Sequence, residues 1–118
     1  MKNLLKNYEN AVLFVHGKDE EYTLARMKAF CLASNINILE LAQTKSDDIK
    51  VINKTFVELV NDIKENCFQG FLIVKSEDSL CLGFEEMEQL QDLIDCGTIA
   101  VWCLDEHALL VNPEKAEL

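Results

Sequence analysis

Short, continuous runs of apolar residues alternate along this chain with longer stretches whose apolar residues recur at helical spacing. The run at 11–15 (AVLFV) predicts a strand buried on both faces, and the apolar runs at 71–74 (FLIV) and 98–104 (TIAVWCL) predict two further strands. Weaker strands are predicted at 36–42 (INILELA) and 109–111. Strands that alternate with helices of this length form right-handed βαβ units. The chain is therefore predicted to have an α/β fold of three layers, with a mostly parallel sheet of four to five strands and helices on both faces.

Three helices are predicted between these strands. The first begins at Asp19, ends at Ser34-Asn35 and has an apolar stripe formed by Tyr22, Ala25, Ala29 or Phe30, and Ala33. The second is capped by Ser46 or Asp47 and has a stripe formed by Ile52, Phe56, Leu59 or Val60, and Ile63. The third has Met87, Leu90, and Leu93 or Ile94 on one face, and Gly97 fits the position just past its end.

The charge of the chain limits its partners. It contains 21 acidic and 11 basic side chains, a formal net charge of −10. Proteins that bind nucleic acid on their own present a basic face to the phosphates, and anionic membrane surfaces select for the same charge. We therefore expect no autonomous nucleic-acid binding and no membrane association. The length of 118 residues and the 49% hydrophobic content predict one domain, 1–118, with a real core.

The cysteines indicate the compartment. There are five, an odd number with no CxxC pair, which favours reduced thiols. The first ten residues do not form a signal peptide, and no apolar run approaches the length of a membrane span. A cytoplasmic protein is expected.

Ligand chemistry in such sheets lies beyond the carboxyl ends of the strands. Here that edge collects residues 16–20, 43–50, 75–82 and 105–107. The first loop has one glycine and lacks both GxGxxG and GxxxxGK[ST], and the third strand is followed by Val74-Lys75-Ser76 rather than by an aspartate. We therefore expect no nucleotide cofactor and no receiver-type phosphoacceptor.

The sequence also gives little support to a metal site or a nucleophilic site built from its cysteines and histidines. The spacing of Cys96, Cys103 and His107 matches no short zinc-ligand pair, so burial of these cysteines as small hydrophobic residues is favoured and no metal is expected. Cys31 and Cys67 lie on or beside helical stripes, which disfavours a Cys-His nucleophile pair. Trp102 is predicted to lie in the core.

The order of these motifs resembles the N-terminal catalytic domain of the serine recombinases, the resolvase/invertase family, over roughly residues 11–106. The family's first strand ends in Tyr-x-Arg-Val-Ser, where this chain has residues 14–18 (FVHGK). The family's Arg-Pro-x-Phe-x-x-hydrophobic-hydrophobic-x-x-Ile corresponds to residues 53–63 (NKTFVELVNDI). Its Lys-x-Asp-Arg-Leu-x-Arg corresponds to residues 75–82 (KSEDSLCL), with Lys75 one residue out of step.

The resemblance implies a resolvase-like fold, and it also shows which functional side chains this chain lacks. The family performs site-specific DNA recombination with a serine nucleophile and with arginines that hold the scissile phosphate. Lys18 occupies the nucleophile position, and the matched arginine positions hold His16, Asn53, Ser79 and Leu82, while Asp78 and Leu80 are retained. Lysine cannot form the phosphoserine link, and none of the replacements provides a guanidinium fork.

The resemblance therefore implies a catalytically inactive, non-enzymatic domain that serves as a binding or regulatory module and associates with a protein partner or with itself. It also implies that residues 1–118 contain neither the family's long dimerisation helix nor its helix-turn-helix domain. One alternative is an acidic interaction module, a DNA mimic or an immunity-type inhibitor, on a generic α/β fold whose element order arose independently. Another is a small enzyme with a site formed by His16, Lys18, Asp78 and His107.

Overall fold

The computed structural model describes residues 9–110. The strands are β1 (Asn10–His16), β2 (Asn37–Thr44), β3 (Gly70–Val74), β4 (Ile99–Cys103) and β5 (Ala108–Leu109). The helices are α1 (Glu20–Ala33), α2 (Ile49–Glu65) and α3 (Phe84–Asp95), with a 3-10 turn at Asp78–Leu80. No helix in this range combines the length and apolar character needed to cross a bilayer.

The strands form one sheet in the order β2-β1-β3-β4-β5. Strands β1 to β4 are parallel to one another, and β5 is antiparallel to β4. The predicted mostly parallel sheet of four to five strands is therefore confirmed. The predicted fifth strand begins one residue earlier, at Ala108, and Val111 lies outside the described residues.

Helices cover both faces of the sheet, as predicted. On one face α2 and α3 pack against alternate strand residues such as Val12, Phe14 and Leu72. On the other face α1 packs against the intervening residues, such as Leu13 and Ile73. Trp102, predicted to be core, is only half-buried and stacks on Phe30 of α1, with their ring centroids 5.3 Å apart.

The stripe predicted for α2 is confirmed, whereas the stripe predicted for α1 is wrong. Every predicted α2 position is at most 2% exposed, and each such side chain contributes roughly 1.5–3 kcal/mol on burial. In α1 the buried residues are Glu20, Thr23, Leu24, Met27 and Cys31, while Tyr22, Ala25, Ala29 and Ala33 are exposed. Apolar residues occur on several sides of this helix, and Leu24 and Met27 bury more area than the alanines of the predicted stripe.

The predicted cap of α2 is also wrong. The capping side chain belongs to Asp48, which accepts a hydrogen bond from the Lys50 amide at 2.9 Å. Ser46 instead accepts a hydrogen bond from the Asp48 amide at 3.0 Å, so it shapes the turn before the helix. In a run of Ser46, Asp47 and Asp48 all three side chains are suitable caps, and the turn geometry selects the last one.

All three helices end with a residue in the left-handed conformation, at Asn35 (φ 58°), Cys67 (φ 51°) and Gly97 (φ 75°). In each case the amide of the next residue donates to the carbonyl five residues earlier, as Phe68 does to Ile63 at 3.0 Å. This is the Schellman arrangement, which usually places glycine in the left-handed position. The predicted role of Gly97 is confirmed, and Cys67 holds the same backbone conformation with a side chain that disfavours it.

We expect Cys67→Gly to raise the free energy of unfolding by about 1 kcal/mol, because glycine removes the left-handed penalty. The mirror change Gly97→Ala should lower it by a similar amount, although nothing lies within 4 Å of the added methyl group. Urea unfolding monitored by circular dichroism measures both values. A loss of stability in Cys67→Gly would show that the thiol makes a stabilising contact.

A carboxyl pair connects β2 to α2. Partial burial raises the pKa of Glu40, and a hydrogen bond to Asp62 with the repulsion between the two charges raises it further. A folded-state pKa above the ordinary value means that the native protein binds more protons than the unfolded chain in this window. The pair therefore favours folding at low pH, and this advantage is lost as pH rises through the raised pKa.

Glu40→Gln should raise the thermal midpoint at pH 7.5 relative to the wild type, and the difference should shrink toward pH 4. Glutamine keeps a hydrogen bond to Asp62 and removes the repulsion. Glu58→Gln, an exposed position on α2, makes the same change of net charge and serves as the control. Equal midpoint shifts in the two variants would mean that the effect comes from overall charge and not from the pair.

Candidate functional site

The carboxyl ends of β1 and β3 form the point from which the connections depart to opposite faces. From β1 the chain enters α1 on one face, and from β3 it enters α3 on the other face. In open α/β sheets such a switch point is where ligands bind. The loops after β1, β2, β3 and β4 therefore meet at one edge, as predicted.

The loops after β1 and β2 are in direct contact. The Gly17 amide donates to the Thr44 carbonyl at 3.1 Å. Gly17 has φ 95°, and a Cβ atom there would lie 2.7 Å from Oδ1 of Asp47. Behind this contact the carboxylate of Glu20, which is 1% exposed, accepts a hydrogen bond from the side-chain amide of Gln43. Glycine is favoured here because side chains rarely adopt this positive φ, whereas the Asp47 carboxylate is exposed and could move away.

His16 joins β1 to the turn after β3. Its Nε2 lies 2.5 Å from the carbonyl oxygen of Ser79, so Nε2 carries the proton and donates it. Its Nδ1 is buried without a hydrogen-bond partner, and its ring centroid lies 5.7 Å from that of Phe14. With one nitrogen bonded to the backbone and the other shielded from solvent, this imidazole is a structural link.

Ser79 is bonded within its own turn. Its amide donates to Oγ of Ser76 at 3.1 Å, and the Ser76 amide donates to Oγ of Ser79 at 3.1 Å. The Ser79 hydroxyl in turn donates to the Ser76 carbonyl at 2.8 Å. These reciprocal bonds satisfy the polar groups of the 3-10 turn.

Asn53 connects α2 to the loop before α3. Its Oδ1 accepts from the Gly83 amide at 2.8 Å, and its Nδ2 donates to the carbonyls of Ile49 at 2.7 Å and Cys81 at 3.4 Å. Gly83 is the N-cap residue of α3, so Asn53 supplies the acceptor that the start of α3 lacks. Leu82, the last matched position, is half-buried and packs against the core on this face.

Two of the matched positions project from the edge. Lys18 and Asp78 are exposed, and their side chains form no hydrogen bond or ion pair within residues 9–110. His107 is also exposed, in a left-handed conformation between β4 and β5. None of the hydrogen bonds or ion pairs in this range joins any two of His16, Lys18, Asp78 and His107, the residues of the small-enzyme alternative.

The turn after β4 is the fourth loop at the carboxyl edge of the sheet, and it is bonded to its neighbours. Asp105 accepts a hydrogen bond from Arg26 of α1 at 2.8 Å, and the Arg26 guanidinium lies 6.0 Å from the Tyr22 ring centroid. Glu106 accepts from the Glu77 amide at 2.8 Å, which ties this turn to the one after β3. The single arginine of the chain therefore stabilises a turn and is not directed to the switch point.

No described group of three or more histidine, cysteine or acidic residues has an arrangement that could hold a metal ion. The prediction of burial is confirmed for Cys103 and wrong for Cys96, which is exposed where α3 ends, at the amino end of β4. Burial raises the pKa of the Cys31 thiol to about 11. Burial, with Glu106 and Glu77 nearby, raises the pKa of Cys103 to about 11. Neither thiol ionises at neutral pH, as nucleophilic cysteines must.

Acidic side chains dominate the surface of this edge. The exposed carboxylates of its loops and of the first turn of α1 are Asp19, Glu21, Asp47, Asp48, Glu77, Asp78, Asp105 and Glu106. They outnumber the lysines of the same segments, Lys18, Lys45, Lys50 and Lys75. Negative side chains therefore outnumber positive ones at this edge of the sheet.

The most informative contacts of the site were not predicted. The Ser-x-x-Ser spacing of residues 76–79 is a signal for a hydrogen-bonded turn and would have identified the reciprocal serine pair. The bonds of His16 and Asn53 have no such signal, because their partners are backbone groups far away in sequence. No local pattern in the sequence reveals the burial of Glu20.

No protein-family model and no curated protein matches the sequence. Among solved structures, the chain is similar to the crystal structure of the N-terminal catalytic domain of TP901-1 integrase. The TM-score is 0.70 at 13% sequence identity, over 92% of this chain and 86% of that one. The chain therefore has the fold of a serine-recombinase N-terminal catalytic domain, as the order of its motifs predicted.

Proposed function

We propose that this chain is a catalytically inactive serine-recombinase-like domain that acts as a protein-binding or regulatory module in the cytoplasm. The observation that carries the proposal is the state of the matched site positions. His16, Asn53 and Ser79 are bonded within the fold, and Leu82 is packed against the core. These positions stabilise the loops of the switch point, and no arginine stands among them.

The chemistry of strand exchange explains why this arrangement is inactive. Phosphoryl transfer depends on positioning the phosphate and on stabilising the charge that builds on it. Lys18 has no hydroxyl group that could attack phosphorus. The edge that would receive DNA is predominantly acidic, which supports a role without DNA chemistry.

The chain should form no covalent adduct with a nicked suicide duplex that traps the phosphoserine intermediate of an active serine recombinase. The measurement is denaturing electrophoresis of labelled DNA, with the active recombinase on its own site as the positive control. Lys18→Ser should also form no adduct, because a hydroxyl alone does not replace the missing guanidinium groups. A labelled protein–DNA band from the wild-type chain would refute the inactive assignment.

Asn53→Ala should lower the free energy of unfolding by about 1–2 kcal/mol, because the Gly83 amide and the Cys81 carbonyl lose their partner. Thr55→Ala on the same helix removes only a local bond to the Val51 carbonyl and should cost less than about 0.5 kcal/mol. Chemical denaturation provides both values, and the exposed Cys81 thiol should be alkylated faster in Asn53→Ala. Equal, small losses in the two variants would mean that Asn53 does not hold this loop.

A second candidate, the acidic DNA mimic or immunity-type inhibitor, is favoured by the concentration of exposed carboxylates at the carboxyl edge. The two functions differ in one measurable respect. A mimic displaces duplex DNA from a basic DNA-binding domain, whereas a regulatory module without mimicry does not.

With the helix-turn-helix domain of an active recombinase as the probe, we expect no displacement of labelled duplex at physiological salt. Anisotropy of the labelled DNA measures this. Displacement that disappears in an Asp47→Lys, Asp78→Lys double variant would favour the mimic instead.

A further inference from the structure

An apolar groove lies between the 3-10 turn and α3, on the face that α2 and α3 cover. Its apolar lining consists of Leu80, Leu82, Met87, Leu90, Ile94 and Leu110. The groove encloses about 260 Å³, less than the roughly 300–1,000 Å³ of a site for a drug-sized ligand. A space of this size suits one or two apolar side chains that project from a larger partner.

Exposed apolar side chains continue the groove along the outer side of α3. Phe84 is 79% exposed and Met87 is 37% exposed. Residues three and seven positions apart in a helix share a side, so Phe84, Met87 and Ile94 form one stripe. Single exposed apolar residues are ordinary, but a stripe that continues an apolar groove is typical of a binding surface.

The rim of the groove is acidic. Glu77 is one of the lining residues, and Glu106 accepts a hydrogen bond from the Glu77 amide at 2.8 Å. Glu88, also exposed, follows Phe84 by one helical turn. Within residues 9–110 the lining contains no lysine and no arginine. A partner with apolar side chains between flanking basic ones matches this surface in both polarity and charge.

We propose that this groove, which we name the α3 groove, binds an amphipathic helix of a partner protein whose apolar face is flanked by lysine or arginine. The inference rests on the proposed function as a binding module and specifies the surface and the partner. A second copy of this chain is a poor occupant, because each copy carries a net charge of −10. The apolar side of the partner helix covers Met87 and Phe84, and its cations lie over Glu77 and Glu88.

The test uses an 18-residue helical peptide of leucine and lysine as the probe, and its leucine–glutamate counterpart as the negative control. Calorimetric titration should detect binding of the lysine peptide only, with an affinity that falls as salt rises. Met87→Lys should weaken binding about tenfold, because it places a cation at the apolar stripe. Leu32→Lys makes the same charge change at an 85% exposed leucine of α1, on the other face, and should leave the affinity nearly unchanged. Equal weakening by the two variants would overturn the proposal, since general charge attraction would explain the binding.

Thiol footprinting locates the bound peptide independently. Cys81 lines the α3 groove, whereas the exposed Cys67 and Cys96 line a separate groove at the opposite end of the sheet. With the peptide at ten times its dissociation constant, alkylation of Cys81 by N-ethylmaleimide should slow about tenfold, and that of Cys67 and Cys96 should not change. Mass spectrometry of tryptic peptides separates the three rates. Unchanged alkylation of Cys81 would overturn the assignment of the groove.

Two further outcomes would assign the groove to a different occupant and so overturn the proposal. One is slowing of Cys81 alkylation in the free protein as its own concentration rises, which would indicate a second copy. The other is faster alkylation after removal of residues 111–118, which would indicate that the chain's own end covers the groove. The groove test and the DNA-adduct test are independent. If the peptide does not bind in the groove, the proposed inactivity still stands; if a DNA adduct forms, the inactivity is refuted whatever the groove binds.

Discussion

The burial of β1 on both faces is the constraint on which the rest of the structure depends. Its residues from Ala11 to Val15 are at most 2% exposed. A strand with no solvent face needs neighbours on both edges and helices above and below it. Strand β2 pairs along one edge and β3 along the other. Because both crossovers are right-handed, α1 and α2 must lie on opposite faces. The position of the switch point, and the meeting of His16 with Ser79 there, follow from this arrangement.

At the switch point, side chains at the matched positions are bonded to backbone groups of the neighbouring loops. A recombinase site needs cations that remain free to contact a phosphate. Here the imidazole of His16 and the amide of Asn53 are bonded to backbone groups, and each such bond contributes about 0.5–1.5 kcal/mol. A side chain that satisfies a buried backbone group cannot leave it for a ligand without a cost of similar size. His16 and Asn53 therefore each hold a backbone group of a neighbouring loop, whereas Lys18 forms no hydrogen bond or ion pair within the described residues.

Sequence reasoning succeeded where burial alone determines structure. The strands β1 and β3 and the stripe of α2 follow from where large apolar side chains occur, because burying them dominates the free energy of folding. The prediction for α1 was wrong because apolar residues occur on several sides of this helix, so packing decides which face is buried. The prediction of the α2 cap was wrong because three adjacent polar residues, ending at Asp48, can each act as a cap. Sequence reasoning also missed the bonds of His16 and Asn53. These depend on the turn from Ser76 to Gly83, which includes a left-handed Cys81, and no local pattern determines that path.

The location of the acidic side chains is more informative than their number. A net charge of −10 spread evenly would make a soluble surface and little else. Here exposed carboxylates gather at the carboxyl edge of the sheet, and Glu77 belongs both to that edge and to the rim of the α3 groove. The turn after β3 therefore contributes an exposed carboxylate both to this edge and to the rim of the α3 groove. Glu106 bonds this turn to the turn after β4. A partner bound in the α3 groove would therefore contact a turn that is linked to the rest of the edge. A serine-recombinase fold whose matched positions are bonded internally in this way still presents exposed carboxylates next to an apolar groove.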